Sequence, residues 1–137
     1  MATWIRPQIL LNAKQAVGVG TTLAVSDIKT LTFWVATSGM GAGDTIKIYI
    51  AGSLADEEPD FSATKSASNV WDYVGVKDLN TFGMIPGDSG IEFSEADDVR
   101  QLEINIDGLR YVTAIVDTIT DATTSVTVKL AAFSNFV

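Results

Sequence analysis

The chain has 137 residues, 47% of them hydrophobic and only 19% charged, with Lys+Arg 9 against Asp+Glu 17 and a formal net charge of -8. It has no histidine and no cysteine, which removes the side chains most often used for proton transfer at neutral pH, thiol chemistry and transition-metal binding. A net negative surface repels phosphate backbones, so nucleic-acid binding is not expected.

In chain order the period-two segments fall at 5–11, 21–25, 30–36, 45–51, 70–76, 90–93, 101–106, 111–118 and 125–132. Such short, evenly spaced strands predict an all-β chain, a single antiparallel β-sandwich of jelly-roll-like form with about eight or nine strands. One domain accounts for residues 1–137, since a chain of this size closes one core without disulfide or metal staples. The start, Met1-Ala2-Thr3-Trp4-Ile5-Arg6-Pro7, lacks the basic segment and long apolar run of a secretory signal. No apolar run reaches spanning length, so neither membrane insertion nor export by the general pathway is expected.

Alternation assigns faces. Leu31, Phe33 and Val35, then Ile46, Ile48 and Ile50, then Val126, Val128 and Leu130 belong to the core. Thr32, Trp34, Lys47, Tyr49, Thr127 and Lys129 stand opposite them. Trp34 and Tyr49 are therefore aromatic where the other positions are polar, and are candidate interface residues. Gly39-Met40-Gly41-Ala42-Gly43-Asp44 precedes a strand at Thr45, not a helix, so it reads as an interstrand turn and not a phosphate loop.

The segment from Ser53 to Asn69 carries Asp56-Glu57-Glu58-Pro59-Asp60 and a Ser/Thr-rich run. It reads as a long surface loop with room for one helical turn. Residues 94–99 could form another, capped by Ser94. Neither Asp56, Glu57, Glu58 and Asp60 nor Glu95, Asp97 and Asp98 follow a calcium-loop spacing. No cofactor, metal site or catalytic pair is assigned. Asp107-Gly108 between two alternating runs predicts a two-residue hairpin. Trp71 and Tyr73 share a face of one strand. With Trp34 and Tyr49 they could form a sugar-stacking platform, although Trp71 is expected in the core.

Both ends are apolar: Trp4, Ile5, Ile9, Leu10 and Leu11 at the start, Phe133, Phe136 and Val137 at the finish. Strands account for most of these, while Phe133, Phe136 and Val137 are expected to pack on a neighbouring subunit. Trp4, Ile5, Trp34, Tyr49, Phe133, Phe136 and Val137 make up the candidate interface. With so few charges the chain is expected to hide apolar surface by multimerising.

The run Asp107-Gly108-Leu109-Arg110-Tyr111-Val112-Thr113-Ala114-Ile115-Val116, with Ile48-Tyr49-Ile50-Ala51-Gly52-Ser53 and Trp71, resembles the small β-sandwich proteins of tailed-bacteriophage virions. In that family a strand ending in Gly-Ser is followed by a short loop and a tryptophan, and a Gly-Leu-Arg-Tyr strand comes later; here the stretch from Ser53 to Trp71 is longer. The resemblance implies a non-enzymatic virion protein, made in the host cytoplasm. Its first form is a capsid decoration (cement) protein, a homotrimer binding the major capsid protein at the capsid surface. Its second is a tail or fibre carbohydrate-binding module.

Overall fold

The computed structural model describes Thr3–Trp4 and residues 8–26, 28–106 and 108–134. Its strands are β1 (Thr3–Trp4), β2 (Gln8–Lys14), β3 (Gly18–Val19), β4 (Leu23–Ala24), β5 (Thr30–Ser38), β6 (Thr45–Ser53), β7 (Asp72–Tyr73), β8 (Val76–Asp78), β9 (Met84–Ile85), β10 (Ile91–Ser94), β11 (Val99–Asn105), β12 (Tyr111–Ile119) and β13 (Ser125–Ser134). All pairings are antiparallel. A seven-stranded sheet runs β1-β13-β5-β11-β8-β9 with β2 also on β13, and a six-stranded sheet runs β10-β6-β12-β3 with β4 on β12 and β7 on β6.

The expected faces are the ones buried. Leu31, Phe33 and Val35, Ile46, Ile48 and Ile50, and Val126 and Val128 meet Leu102, Ile104, Val112 and Val116 in one cluster between the sheets. Lateral register holds the layers together: β5 lies between β13 (Val35↔Val128) and β11 (Phe33↔Leu102). In the other sheet β6 lies between β12 and β10 through Ile48↔Val116 and Ile48↔Ile91. β12 carries a bulge at Asp117, between Val116 and Thr118, which ends the clean alternation there.

Among the described residues thirteen strands stand where eight or nine were expected. The segment 70–76 divides because β7 pairs with β6 in one sheet and β8 with β11 in the other. The two-residue strands β1, β3 and β9 are too short to show a period. The Asp107-Gly108 hairpin is not formed: β11 pairs with β5 and β8, whereas β12 pairs with β6, β3 and β4. Asp107 itself lies outside the described residues. The reason is the wholly buried Ile106, whose N–H bonds to Lys29 O at 2.8 Å and whose carbonyl accepts from Leu109 N at 2.8 Å. Burying that side chain between the layers steers the chain across the core edge into the opposite sheet, with Gly108 at φ 93 in the corner.

Residues 94–99 are not helical either. Ala96 N bonds to Ser94 O at 2.8 Å and Glu95 has φ 65, while Asp97 Oδ1 accepts from Met40 N at 2.8 Å and so ties this turn to the glycine-rich one. That glycine-rich segment is the expected interstrand turn, closed by Asp44 N to Gly41 O at 3.1 Å. The Ser53–Asn69 stretch contains no helical turn, and Ser53 is the last residue of β6.

Candidate functional site

The outer faces of the two sheets are built differently. On the six-stranded sheet the loop 54–71 folds back over the strands, carrying Phe61 to 5% exposure. It is held by Asn69, whose amide donates to Asp60 O (2.8 Å) and Thr64 O (3.2 Å) while its carbonyl oxygen accepts from Asp60 N (2.8 Å). At its root Ser53 Oγ donates to Val70 O at 2.5 Å and accepts from Ala55 N at 3.0 Å. A stretch whose composition reads as solvated loop is therefore a fixed cover, because a lone phenylalanine and one asparagine pin it down.

Four aromatics line up where this cover meets the sheet. Tyr49 and Tyr73 have centroids 4.4 Å apart at 30°, Tyr73 and Trp71 are edge-on at 5.3 Å, and Trp71 and Phe61 lie 5.8 Å apart at 57°. Trp71 Nε1 donates to Ala63 O at 3.2 Å. Lys65 Nζ sits 5.2 Å from the Tyr73 ring centre and forms an ion pair with Asp72. Lys47 lies 5.7 Å from the centre of Tyr49. Trp71 is half-buried in this satellite cluster, which corrects its assignment to the core: β7 starts one residue later and turns the indole outward onto the loop. The Tyr73 ring packs against Tyr49 and Trp71, with Lys65 beside it.

The Asp72 carboxyl is held below the ordinary carboxylate range, first by the hydrogen bond from Lys65 and then by that from Tyr73 N. Asp60 is lowered by Ser62, through its hydroxyl and then its N–H. Groups with depressed folded values contribute stability that is complete above the unfolded pKa of about 3.9 and is lost as pH falls through the lower folded value. The cover should therefore stay closed at mildly acid pH. Trp71 fluorescence should shift only below about pH 4, ahead of the loss of the strand signal; a shift between pH 5 and 7 would contradict this assignment.

Trp34 and Tyr49 do not form one surface. Trp34 projects from β5 on the outside of the seven-stranded sheet, with Lys129 Nζ 6.0 Å from its ring centre, whereas Tyr49 projects from β6 on the outside of the other sheet. Both are half-buried. Phe133 is not a free tail residue: β13 continues to Ser134, and Phe133 pairs with Thr30 on one side and Trp4 on the other. The alternation that marks Leu130 as the last core position is interrupted by Ala131-Ala132, which hid this continuation. Ile5, Phe136 and Val137 lie outside the described residues. Among the described residues no three carboxylates converge on a possible metal site.

A groove on the far side of Trp71 had no counterpart in the sequence reading. Leu54, Val70, Val74 and Leu109 line it together with Trp71 and Tyr73. Beside it the β8–β9 turn presents Phe82 and Met84, 71% and 67% exposed. The only signal in the sequence was that Phe82 and Met84 are large apolar residues in a segment rich in turn formers.

No family model and no curated protein matches the chain. Among solved structures it is similar to the SPBc2 prophage-derived protein YomS, with TM-score 0.65 and 16% identity over 98% of this chain and 96% of YomS. It is also similar to the PBSX exported protein XepA, with TM-score 0.64 and 16% identity over 97% of this chain, which spans 38% of XepA. At these identities the likeness is one of fold.

Proposed function

We propose that the chain is a non-enzymatic structural module of a phage-derived particle, in the specific form of a decoration protein on the head surface. The observation that carries this reading is the end-to-end fold likeness to a prophage-derived protein, which spans 98% of this chain. The virion family resembled by the Ile48–Ser53 segment of β6 and the Asp107-Gly108-Leu109-Arg110-Tyr111 run points the same way. The module works by burying surface. It associates with copies of itself and with the major capsid protein, while its acidic turns, around Asp97 and Asp121 at one end and Asp56 at the other, stay in solvent and keep the particle colloidally stable.

Quantitative mass spectrometry of purified particles tests the reading. A decoration protein appears in a fixed, high ratio to the major shell protein and leaves with the head fraction. Recovery at tail-like copy number, or free of particles altogether, would overturn head decoration.

A further inference from the structure

We propose that residues 54–70 of the cover are a lid that swings off the six-stranded sheet as one unit, with Phe61 as its latch. The inference concerns a motion of this chain alone, and it stands or falls independently of the head-decoration reading.

The lid is bonded to itself. Its backbone-to-backbone bonds among the described residues close inside it, Ala63 N to Asp60 O at 3.2 Å, Ser66 N to Asn69 O at 3.0 Å and Asn69 N to Ser66 O at 3.1 Å. Ser62 N adds a bond to Asp60 Oδ1 at 2.9 Å, and the Asn69 side chain braces Asp60 and Thr64 from within. At the root the buried Ser53 hydroxyl donates to Val70 O and accepts from Ala55 N. It thereby clips the two stems together, as in a compact Ω-loop. Deforming such a segment breaks more of these bonds than lifting it whole, so its low-energy motion is that of a body on a hinge.

The lid is attached to the sheet at few points. Between residues 54 and 70 Phe61 is the single buried residue, whereas β5 and β6 bury every second side chain or more. The remaining ties are Trp71 Nε1 to Ala63 O at 3.2 Å, the Lys65–Asp72 ion pair, and, beside the root, the Arg110–Asp56 ion pair at 3.4 Å and Tyr111 Oη to Asp56 O at 3.3 Å. Both ion pairs join exposed side chains and hold weakly in water. The attachment away from the hinge therefore rests chiefly on one ring.

That ring stands at a particular place. Phe61 and Ser62 form the wall between two hollows, one lined on the sheet side by Val19 and Thr22, the other by Tyr73 and Ile115. Val19 and Ile115 are cross-strand partners on β3 and β12, so Phe61 sits where these two strands meet. Withdrawing it removes the wall. The two hollows then become one trough across the outer face of β3 and β12, with an apolar floor that the closed lid keeps covered.

Native-state hydrogen exchange on the full chain, read residue by residue by NMR in water and in sub-denaturing urea, tests the proposal. The amides of Asp60, Ser62, Ala63, Ser66 and Asn69 should share one protection factor and one urea dependence, and exchange about a hundredfold or more faster than those of β5, β6 and β12. Phe61→Ala should speed all five together by about a hundredfold, and the milder Phe61→Leu by about tenfold, with the strand amides unchanged. Asn69→Ala, which cuts the internal brace and leaves the latch in place, should split the shared value into several. Lid amides that exchange only with the strands would show that the cover opens by global unfolding alone. Five unrelated protection factors in the wild type would show fraying instead of a swing. Either result overturns the proposal, as would a Phe61→Leu variant that speeds the strand amides as much as those of the lid.

Discussion

Phe93→Ala should lower the unfolding free energy by about 3–5 kcal/mol, the range for deleting a buried aromatic ring from a packed core. Phe93 is 1% exposed and stands with the largest fully buried side chains of the chain. It sits on β10, a four-residue edge strand that pairs only through Ile91↔Ile48, Glu92↔Lys47, Phe93↔Ile46 and Ser94↔Thr45. Ile91 and Phe93 are the two side chains that this strand places in the core, so removing the ring takes half of its inward anchorage. The Arg100 guanidinium, 4.6 Å from the ring centre, loses its π partner as well. Urea denaturation followed by circular dichroism gives the value. Ile48→Ala, at the middle of β6, should cost about 2–5 kcal/mol in the same assay. A Phe93 loss under about 1 kcal/mol would mean that β10 contributes little to the fold.

Gly20→Ala should be nearly as damaging, about 3 kcal/mol or more, although it adds one methyl group. A β-carbon there would stand 2.2 Å from Leu10 O and 2.8 Å from Leu11 Cδ2. The backbone cannot retreat on either side. Gly20 N bonds to Ala114 O at 2.8 Å in the six-stranded sheet, and Thr21 N bonds to Leu10 O at 2.8 Å on β2 of the other. Relieving the clash therefore breaks one of the bonds that stitch the layers together. Thermal melting of the alanine variant measures the loss; a variant that melts with wild type would show that β2 has room to shift.

The faces of the long strands were legible in the sequence because burial on one side writes a period of two. Leu31, Phe33 and Val35 or Ile46, Ile48 and Ile50 needed nothing but spacing. Pairing was not legible. Asp107-Gly108 carries the composition of a hairpin turn, and what decides otherwise is Ile106, whose burial between layers is a tertiary fact invisible in a local window. The candidate site was read in fragments. Trp71, Tyr73 and Tyr49 were singled out, yet their mutual packing depends on Phe61 closing a loop that looks solvated by composition. Phe82 escaped because its exposure follows from a left-handed backbone that residue type alone does not announce. Trp34 was expected beside Tyr49, and only the assignment of β5 and β6 to different sheets separates them.

The alternation of the chain between layers has a kinetic consequence. From β5 onward the path goes from one sheet to the other at β6, returns at β8, crosses again at β10 and switches at each of β11, β12 and β13. Partners are consequently distant in sequence: Leu11 waits for Val128, and Trp4 for Phe133. Closing such loops costs entropy before any contact repays it, which places folding toward the slow end for domains of this size. β13 supplies the shared partner of β1, β2 and β5, so a nascent chain lacking it holds three strands with an unsatisfied edge. The protein should therefore be most prone to aggregate before β13 is made and least so once β13 has slotted into place.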